Sequence, residues 1–406
     1  MPSAFGWVDF ADEDRQRMAD VIDLFREQDT RDELGLGSVR DAFANLLFPG
    51  TSTIQTRAKY VLLVPWIYLR HERRQTPSKD IAGKARNDEL NLIGHLLESG
   101  DTDGVIGKDA RSKLQRLPSS IYWSALRSWG IRLFPGSQSQ YHRYLDSFYR
   151  RRKQYQHLRS EGEPLAPPVN ENWALGLPSA PRGFPRNEAL TLSLSREEAE
   201  YLHDKIMTNC TGSLLAFLVD QTAPAEVPFV WMHPDMTRLP RTLQDQVEHA
   251  RKFSEVMHGA ALLYNLMLGE KSNSEDVVTQ YRDKFVNWSE TIRARQSTLM
   301  DWSLPDFWGT VESEGARIPG RACRFVEQWI GLVLDNTDVA ALATDQKARN
   351  LIYEREVALK RGRARLENKR ALELWSGAAG AGQLNYRWPV VNTISNDILR
   401  GLRSDA

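Results

Sequence analysis

Apolar side chains recur at helical spacing along most of this chain, and this periodicity constrains the fold more than any other feature. In segment 243–268, Val247, Ala250 and Phe253 fall three positions apart, which places them on one face of a helix. Only segment 190–194, which alternates apolar and polar residues, is expected to form a brief strand. The sequence therefore predicts a mainly α, multi-helix protein.

A proline-rich segment without periodicity divides the chain. Segment 161–189 contains six prolines and is expected to connect two packed helical domains, 1–160 and 190–406. The second of these domains is expected to carry a basic helix near its end. An acidic amphipathic helix is predicted at 10–28, at the start of the first domain.

Composition limits where the protein acts and what it binds. The chain has only two cysteines, too few for a disulfide framework or a thiolate zinc site, which favours a reducing compartment. It shows neither a secretory signal nor an apolar run of about 18 residues, so we expect a cytoplasmic protein that does not enter a membrane. Basic and acidic residues balance at 53 each, so any affinity for nucleic acid must come from local patches.

One motif occurs twice. Segments 47–53 and 133–139 both read Leu-Phe-Pro-Gly followed by two hydroxyl residues with one residue between them, and an arginine follows in each. Hydroxyl side chains after a Pro-Gly turn can cap a helix, and a helix N-terminus beside a guanidinium can bind phosphate. An ordinary capped helix start explains the same pattern without a ligand. The candidate anion seats are Thr51, Ser52 and Arg57 in the first copy and Ser137, Ser139 and Arg143 in the second.

Segment 117–132 has the pattern of the second half of a helix-turn-helix. A short helix at 108–116, a Pro-Ser turn and a second helix would place Tyr122 and Arg127 on an exposed recognition face. Tightly joined short helices also occur in many helical bundles, where they only pack.

Two basic helices are predicted, at 138–159 and 345–375. In the first, basic residues alternate with aromatic ones, a pattern that suits phosphate neutralisation with base stacking. An amphipathic helix with buried rings and solvated arginines fits the same residues. The candidate nucleic-acid contacts are Arg150, Arg151, Arg152 and Lys153 in the first helix, Lys360, Arg361, Arg363 and Arg365 in the second, and Arg387 with Trp388 beyond it.

No pattern in the chain predicts a catalytic, metal or cofactor site. The glycine-rich segment 377–382 lacks the lysine and the following helix of a phosphate-binding loop. Two Glu-x-x-His pairs, at 200–203 and 255–258, lack the further glutamates of a di-iron site. An enzyme is therefore not the favoured interpretation.

Several stretches together resemble a bacterial protein family that carries only a domain-of-unknown-function label. They are RDELGLGSVRDAF at 31–43, LFPGTST at 47–53, SIYWSAL at 120–126, RARLEN at 363–368 and LNYRW at 384–388. The resemblance covers nearly the whole chain and implies an association with phage-defence genes. It assigns no catalytic residue.

These observations predict an accessory component of a bacterial defence or DNA-processing system that binds nucleic acid, in the first place DNA, and has a protein partner encoded nearby. A different interpretation is a scaffold that docks a partner enzyme through its tryptophan-rich loops and its acidic first helix. A third is a metal-dependent phosphodiester enzyme.

Overall fold

The computed structural model describes residues 32–100, 102–160, 170–185, 190–221 and 224–404. The predicted acidic helix at 10–28 lies outside the described residues, as does part of segment 161–189. The described residues form fifteen α-helices and no strand, which confirms the mainly α prediction, whereas the strand expected at 190–194 does not form. The helices are α1 (Gly37–Leu47), α2 (Tyr60–Arg73), α3 (Ser78–Glu98), α4 (Pro118–Ser128), α5 (Gln138–Ser160), α6 (Arg196–Asn209), α7 (Leu214–Val219), α8 (Arg241–Lys271), α9 (Glu275–Ala294), α10 (Gln296–Met300), α11 (Leu304–Glu312), α12 (Gly320–Leu334), α13 (Gln346–Lys360), α14 (Lys369–Glu373) and α15 (Trp388–Arg403).

The chain divides into two compact units, and each is built from two separate stretches. The first unit comprises Met1–Phe43 with Asp245–Tyr386, and the second comprises Ala44–Gln244 with Arg387–Ala406. These boundaries differ from the division at 161–189 expected from the prolines. Composition marks a stretch without helical periodicity, but a compact unit is defined by which stretches pack together.

In the second unit, α2 forms the centre of the core. Every residue from 60 to 68 is buried, and α3 and α4 pack against this helix. Pro65 lies inside α2 without ending it, although a proline removes one hydrogen bond of the helix. Farther along, α5 packs on α3, and α15 packs on α6 and α7.

Two tryptophans organise the core of the first unit around α8. The indole N–H of Trp288 donates to the Glu255 carbonyl at 2.8 Å, and that of Trp329 donates to the Val256 carbonyl at 2.9 Å. Gly259 makes this packing possible, because a Cβ at this position would lie only 2.1 Å from the Trp288 ring. The missing side chain lets the indole lie directly on the helix backbone.

The single basic helix predicted at 345–375 is interrupted. Helix α13 ends at Lys360, Arg361 adopts a left-handed backbone conformation with φ of 50°, and α14 begins at Lys369. The cause is the buried Glu356 carboxylate, which accepts the backbone N–H groups of Arg365 at 2.9 Å and of Leu366 at 3.0 Å. These bonds turn the chain back onto α13, so that helical hydrogen bonding cannot continue.

Candidate nucleic-acid interface

Residues adjacent in sequence cap the start of α5, the helix that follows the second Pro-Gly turn. The Ser137 hydroxyl accepts the backbone N–H of Gln140 at 3.2 Å, and the Gln140 side chain accepts that of Ser137 at 2.8 Å. This reciprocal pair is a capping box, which satisfies two of the free N–H groups at the helix start. The helix start predicted at Ser137 is therefore confirmed, with the hydroxyl bonded to the backbone of its own helix. The next predicted seat residues, Ser139 and Arg143, are exposed on its first turns.

The inner face of α5 is held by a buried carboxylate. Glu72 accepts hydrogen bonds from the Tyr141 hydroxyl, from the Asn172 amide at 3.0 Å and from the Trp173 indole at 3.1 Å. Burial raises the pKa of Glu72, and the three donors oppose that change. Because Tyr141, Leu145 and Phe148 are fully buried on the same side, the orientation of α5 about its axis is fixed.

Helix α5 carries five exposed cations, which together we call the basic face: Arg143, Arg150, Arg151, Arg152 and Lys153. The only acidic residue of the helix, Asp146, is bonded to a neighbouring element. Its carboxylate accepts the backbone N–H of Ser78 at 2.9 Å, at the positive N-terminus of α3. Arg152 pairs with Glu171 at 3.9 Å, with both side chains near half exposed. A pair this exposed contributes little, so the face remains strongly positive.

The contact of Ser78 with α5 brings a second group of cations close to this helix. The Ser78 hydroxyl donates to the Arg143 carbonyl at 3.3 Å, so the turn between α2 and α3 lies against the helix. Arg73, Arg74 and Lys79, near or in this turn, are all exposed. The sequence prediction did not include these three residues. The paired arginines at the end of a helix were a visible signal, but only the contact through Ser78 shows that they adjoin α5.

The first copy of the repeated turn does not form the predicted seat. Helix α2 begins at Tyr60, and the predicted start near Ser52 is wrong. The Thr51 side chain is buried and donates to the Phe48 carbonyl, and the Ser52 backbone N–H donates to Gln55. Arg57 pairs with Asp397 through two contacts of 2.9 and 3.0 Å.

Distant side chains explain the late start of α2. The Tyr122 hydroxyl accepts the backbone N–H groups of Thr56 at 2.8 Å and Arg57 at 3.1 Å, and it donates to the Arg57 carbonyl. The Asp397 carboxylate accepts the N–H of Ala58 at 2.9 Å. Backbone groups that could have joined a helix are already bonded, so a capping hydroxyl at Ser52 has no helix to begin.

The helix-turn-helix prediction fails at its first helix. The segment expected to be helical at 108–116 contains only one 3-10 turn, Arg111–Lys113. In α4, Tyr122 is fully buried and cannot contact a base, whereas Arg127 is exposed and donates to the Leu133 carbonyl at 3.0 Å.

Helix α4 instead joins the two copies of the repeated turn. The Trp129 indole donates to the Pro49 carbonyl at 2.9 Å, and the Trp123 indole donates to the Gly136 carbonyl at 3.2 Å. The repeated motif thus has a packing role in both copies.

The second predicted basic segment is split between an internal cluster and the surface. Lys360 and Arg365 both bind the Glu33 carboxylate and the Tyr264 hydroxyl, and Lys360 also contacts Glu356. Both cations are therefore neutralised inside the first unit, which corrects their assignment as nucleic-acid contacts. Arg361 and Arg363 remain exposed.

Arg387 and Trp388 are structural. The Arg387 guanidinium donates to the Thr51 carbonyl at 2.7 Å and to the Asn45 side chain at 2.8 Å. Trp388 is 1% exposed, packs near Phe48, and donates to the Val227 carbonyl. No ring face of Trp388 is open for a base, so its assignment as a nucleic-acid contact is corrected as well.

A shallow depression of about 510 Å³ lies on the second unit, between α3 and the 3-10 turn. Its lining combines the polar side chains of Asn87, Asn91, Arg111 and Ser112 with the apolar ones of Leu90 and Ile93. These groups can form hydrogen bonds to a polar ligand. Across the described ranges, no three histidine, cysteine or acidic side chains are grouped in a way that could hold a metal ion.

The chain belongs to DUF6361, a family of unknown function, whose pattern matches residues 2–399. No curated protein and no solved structure matches the chain. Within the described residues, no helix combines the length and the apolar character needed to cross a bilayer.

Proposed function

We propose that the second unit binds nucleic acid through the basic face of α5, by contacts to backbone phosphates. The observation that supports this most directly is the charge arrangement on one rigid helix. Its cations are exposed, and its single acid is bonded to the start of α3. In a chain with no net charge, such a local excess is what attracts a polyanion.

The side chains of the basic face suit contacts to phosphate. Arg150, Arg151 and Arg152 present planar guanidinium groups, which bind phosphate oxygens in pairs. The cations of the α2–α3 turn, Arg73, Arg74 and Lys79, extend the positive surface beyond one helix. We propose that this surface serves a cytoplasmic accessory component of a bacterial defence or DNA-processing assembly, as the family resemblance implies.

The test is a salt series with a short labelled duplex, in which binding is followed by fluorescence anisotropy. Replacing Arg150, Arg151 and Lys153 together by alanine should make the slope of log K against log salt shallower by up to about 2.7, at about 0.9 for each phosphate that is no longer neutralised. The matched control replaces Arg282, Lys284 and Arg293, three exposed cations of α9 in the first unit. This control should retain the parent slope and affinity.

Two outcomes would contradict the proposal. The parent protein could show no affinity for duplex or single strand even at low salt. Alternatively, the α9 control could weaken binding as much as the α5 variant, which would show that binding follows net charge alone. Thermal unfolding of both variants, measured alongside, verifies that each retains the parent fold.

A further inference from the structure

The aromatic rings of α5 show how the basic face would bind its ligand, given the function proposed above. A single-stranded ligand needs open ring faces on which its bases can stack. Tyr141 and Phe148 are fully buried, and Tyr144, Tyr149 and Tyr155 are only partly accessible. Tyr144 also packs edgewise or tilted against two other rings, with centroids 5.1 Å from Phe134 and 6.0 Å from Phe148.

Arginine side chains lie over two of these rings. The guanidinium carbon of Arg151 lies 4.8 Å from the centre of the Tyr144 ring, and that of Arg152 lies 5.9 Å from the centre of the Phe148 ring. Arg151 follows Tyr144 by seven residues, about two helical turns, and Arg152 follows Phe148 by four residues, about one turn. Each arginine therefore lies on the same side of the helix as the ring that it covers. The alternation of basic and aromatic residues thus builds pairs within the helix.

This pairing has two physical consequences. A guanidinium held on a ring by cation–π attraction has fewer rotamers to lose on binding, and its N–H edges stay available for phosphate oxygens. A base could stack on Tyr144 only after displacing Arg151. Arg150 provides an internal comparison, because its guanidinium contacts the Asp146 carbonyl at 3.4 Å and lies over none of the described rings.

We infer that the basic face recognises the phosphate backbone of duplex nucleic acid without regard to sequence, and that Arg151 and Arg152 are held in place for this purpose by Tyr144 and Phe148. This inference depends on the proposed function and adds the ligand class and the positioning role of the rings. The rings of α5 are buried or only partly accessible, which leaves little ring surface on which single-strand bases could stack. Backbone contacts of this kind position a protein without distinguishing sequences.

The experiment compares Arg151→Lys with Arg150→Lys in binding to two duplexes of unrelated sequence and to their single strands. Both substitutions keep the charge, but only the first removes a guanidinium that lies on a ring. Arg151→Lys should weaken duplex binding about two- to fivefold, the range that a cation–π contact at an exposed site supplies. Arg150→Lys should have a clearly smaller effect. Neither should change the salt slope, because the number of cations is the same.

A second variant, Tyr144→Leu, removes the ring and leaves Arg151 unchanged. It should reproduce the effect of Arg151→Lys, with thermal unfolding measured to verify the fold. Equal effects of the two lysine variants would overturn the positioning role. Tighter binding to single strands than to duplexes, or a gain in single-strand affinity for Arg151→Ala, would overturn the ligand class while leaving the proposed function intact. If none of the duplexes and single strands bound, the proposed function itself would be overturned.

Discussion

Glu89 shows at the residue scale how the second unit uses a buried acid. Its carboxylate is 1% exposed and accepts the Ser119 hydroxyl at 2.7 Å and the Ser119 backbone N–H at 2.8 Å. The Ser119 hydroxyl in turn accepts a hydrogen bond from the side-chain amide N–H of Gln138, the first residue of α5, at 2.8 Å. Burial raises the pKa of Glu89 to about 7, against the opposing effect of the Ser119 bonds.

This raised pKa predicts a specific pH dependence of stability. Between the ordinary pKa of a glutamate and about 7, the folded state binds a proton more tightly than the unfolded state. The contribution of Glu89 to the free energy of unfolding is therefore complete at acid pH and is lost as the pH rises towards 7. At about 1.4 kcal/mol per pKa unit, the change is on the order of 3 kcal/mol.

Glu89→Gln should remove the pH-dependent contribution of Glu89 to the free energy of unfolding, because the amide does not titrate and its oxygen can still accept from Ser119. Urea denaturation of both proteins at pH 5 and pH 8 measures this contribution. We expect the parent to lose more stability than the variant between the two pH values. Since other groups titrate equally in both proteins, the difference between them isolates Glu89. An identical pH dependence in the two would exclude this role for the carboxylate.

At the scale of single elements, helix starts that depend on neighbouring residues could be predicted from sequence. A capping box of Ser195 with Glu198 begins α6, and Ser213 caps α7. In these cases donor and acceptor lie within one turn, so the chain itself contains the whole signal. The start of α2 could not be predicted in this way. It depends on Tyr122 and Asp397, which are distant in sequence from the segment they bind.

The first copy of the repeated turn and the basic face of α5 therefore predict opposite behaviour for one arginine each. Arg57 is paired with Asp397, with side chains 12% and 4% exposed, whereas Arg150 is exposed on the basic face. Arg57→Ala should destabilise the protein by about 3–5 kcal/mol, the cost of leaving one charge of a buried pair without its partner. It should leave duplex affinity unchanged at temperatures where the variant is folded.

Arg150→Ala should have the reverse effect, with a shallower salt slope and an unchanged melting temperature. Melting temperature and anisotropy titration, measured on the same two variants, check both expectations. Weaker duplex binding by fully folded Arg57→Ala would restore the anion seat predicted for the first copy.

The part of the candidate interface that could be predicted from sequence likewise depends only on residues adjacent in the chain. The row of cations at 150–153 was identified, because exposed basic residues on a polar helix face need no tertiary information. Lys360 and Arg365 belong to an equally basic segment, but Glu33 and Tyr264 neutralise them. Composition cannot distinguish these cases, because the difference lies in which acid the fold brings to each cation.

At the scale of the whole molecule, each compact unit depends on a stretch far away in the sequence. The second unit takes residues 387–406 from the end of the chain, and α15 within them packs on α6 and α7. This stretch supplies Asp397 to Arg57 and Ala58, and its Trp388 fills a buried position near Phe48. Sequence order suggested that the region 1–160 could fold by itself. The packing of α15 indicates that it needs the C-terminal stretch.

A chain that ends at residue 386 tests this dependence. The loss of α15 from this shorter chain should expose the apolar faces of α6 and α7 and leave Arg57 without the Asp397 carboxylate. The sequence of α5 itself is unchanged. We expect the cooperative unfolding of the second unit to be lost and duplex binding to fall with it. A chain that ends at Ser404 keeps all of α15 and is the matched control. If the chain ending at 386 melted and bound duplex like this control, the basic face would belong to a domain that folds without its C-terminal helix, as the division at 161–189 predicts.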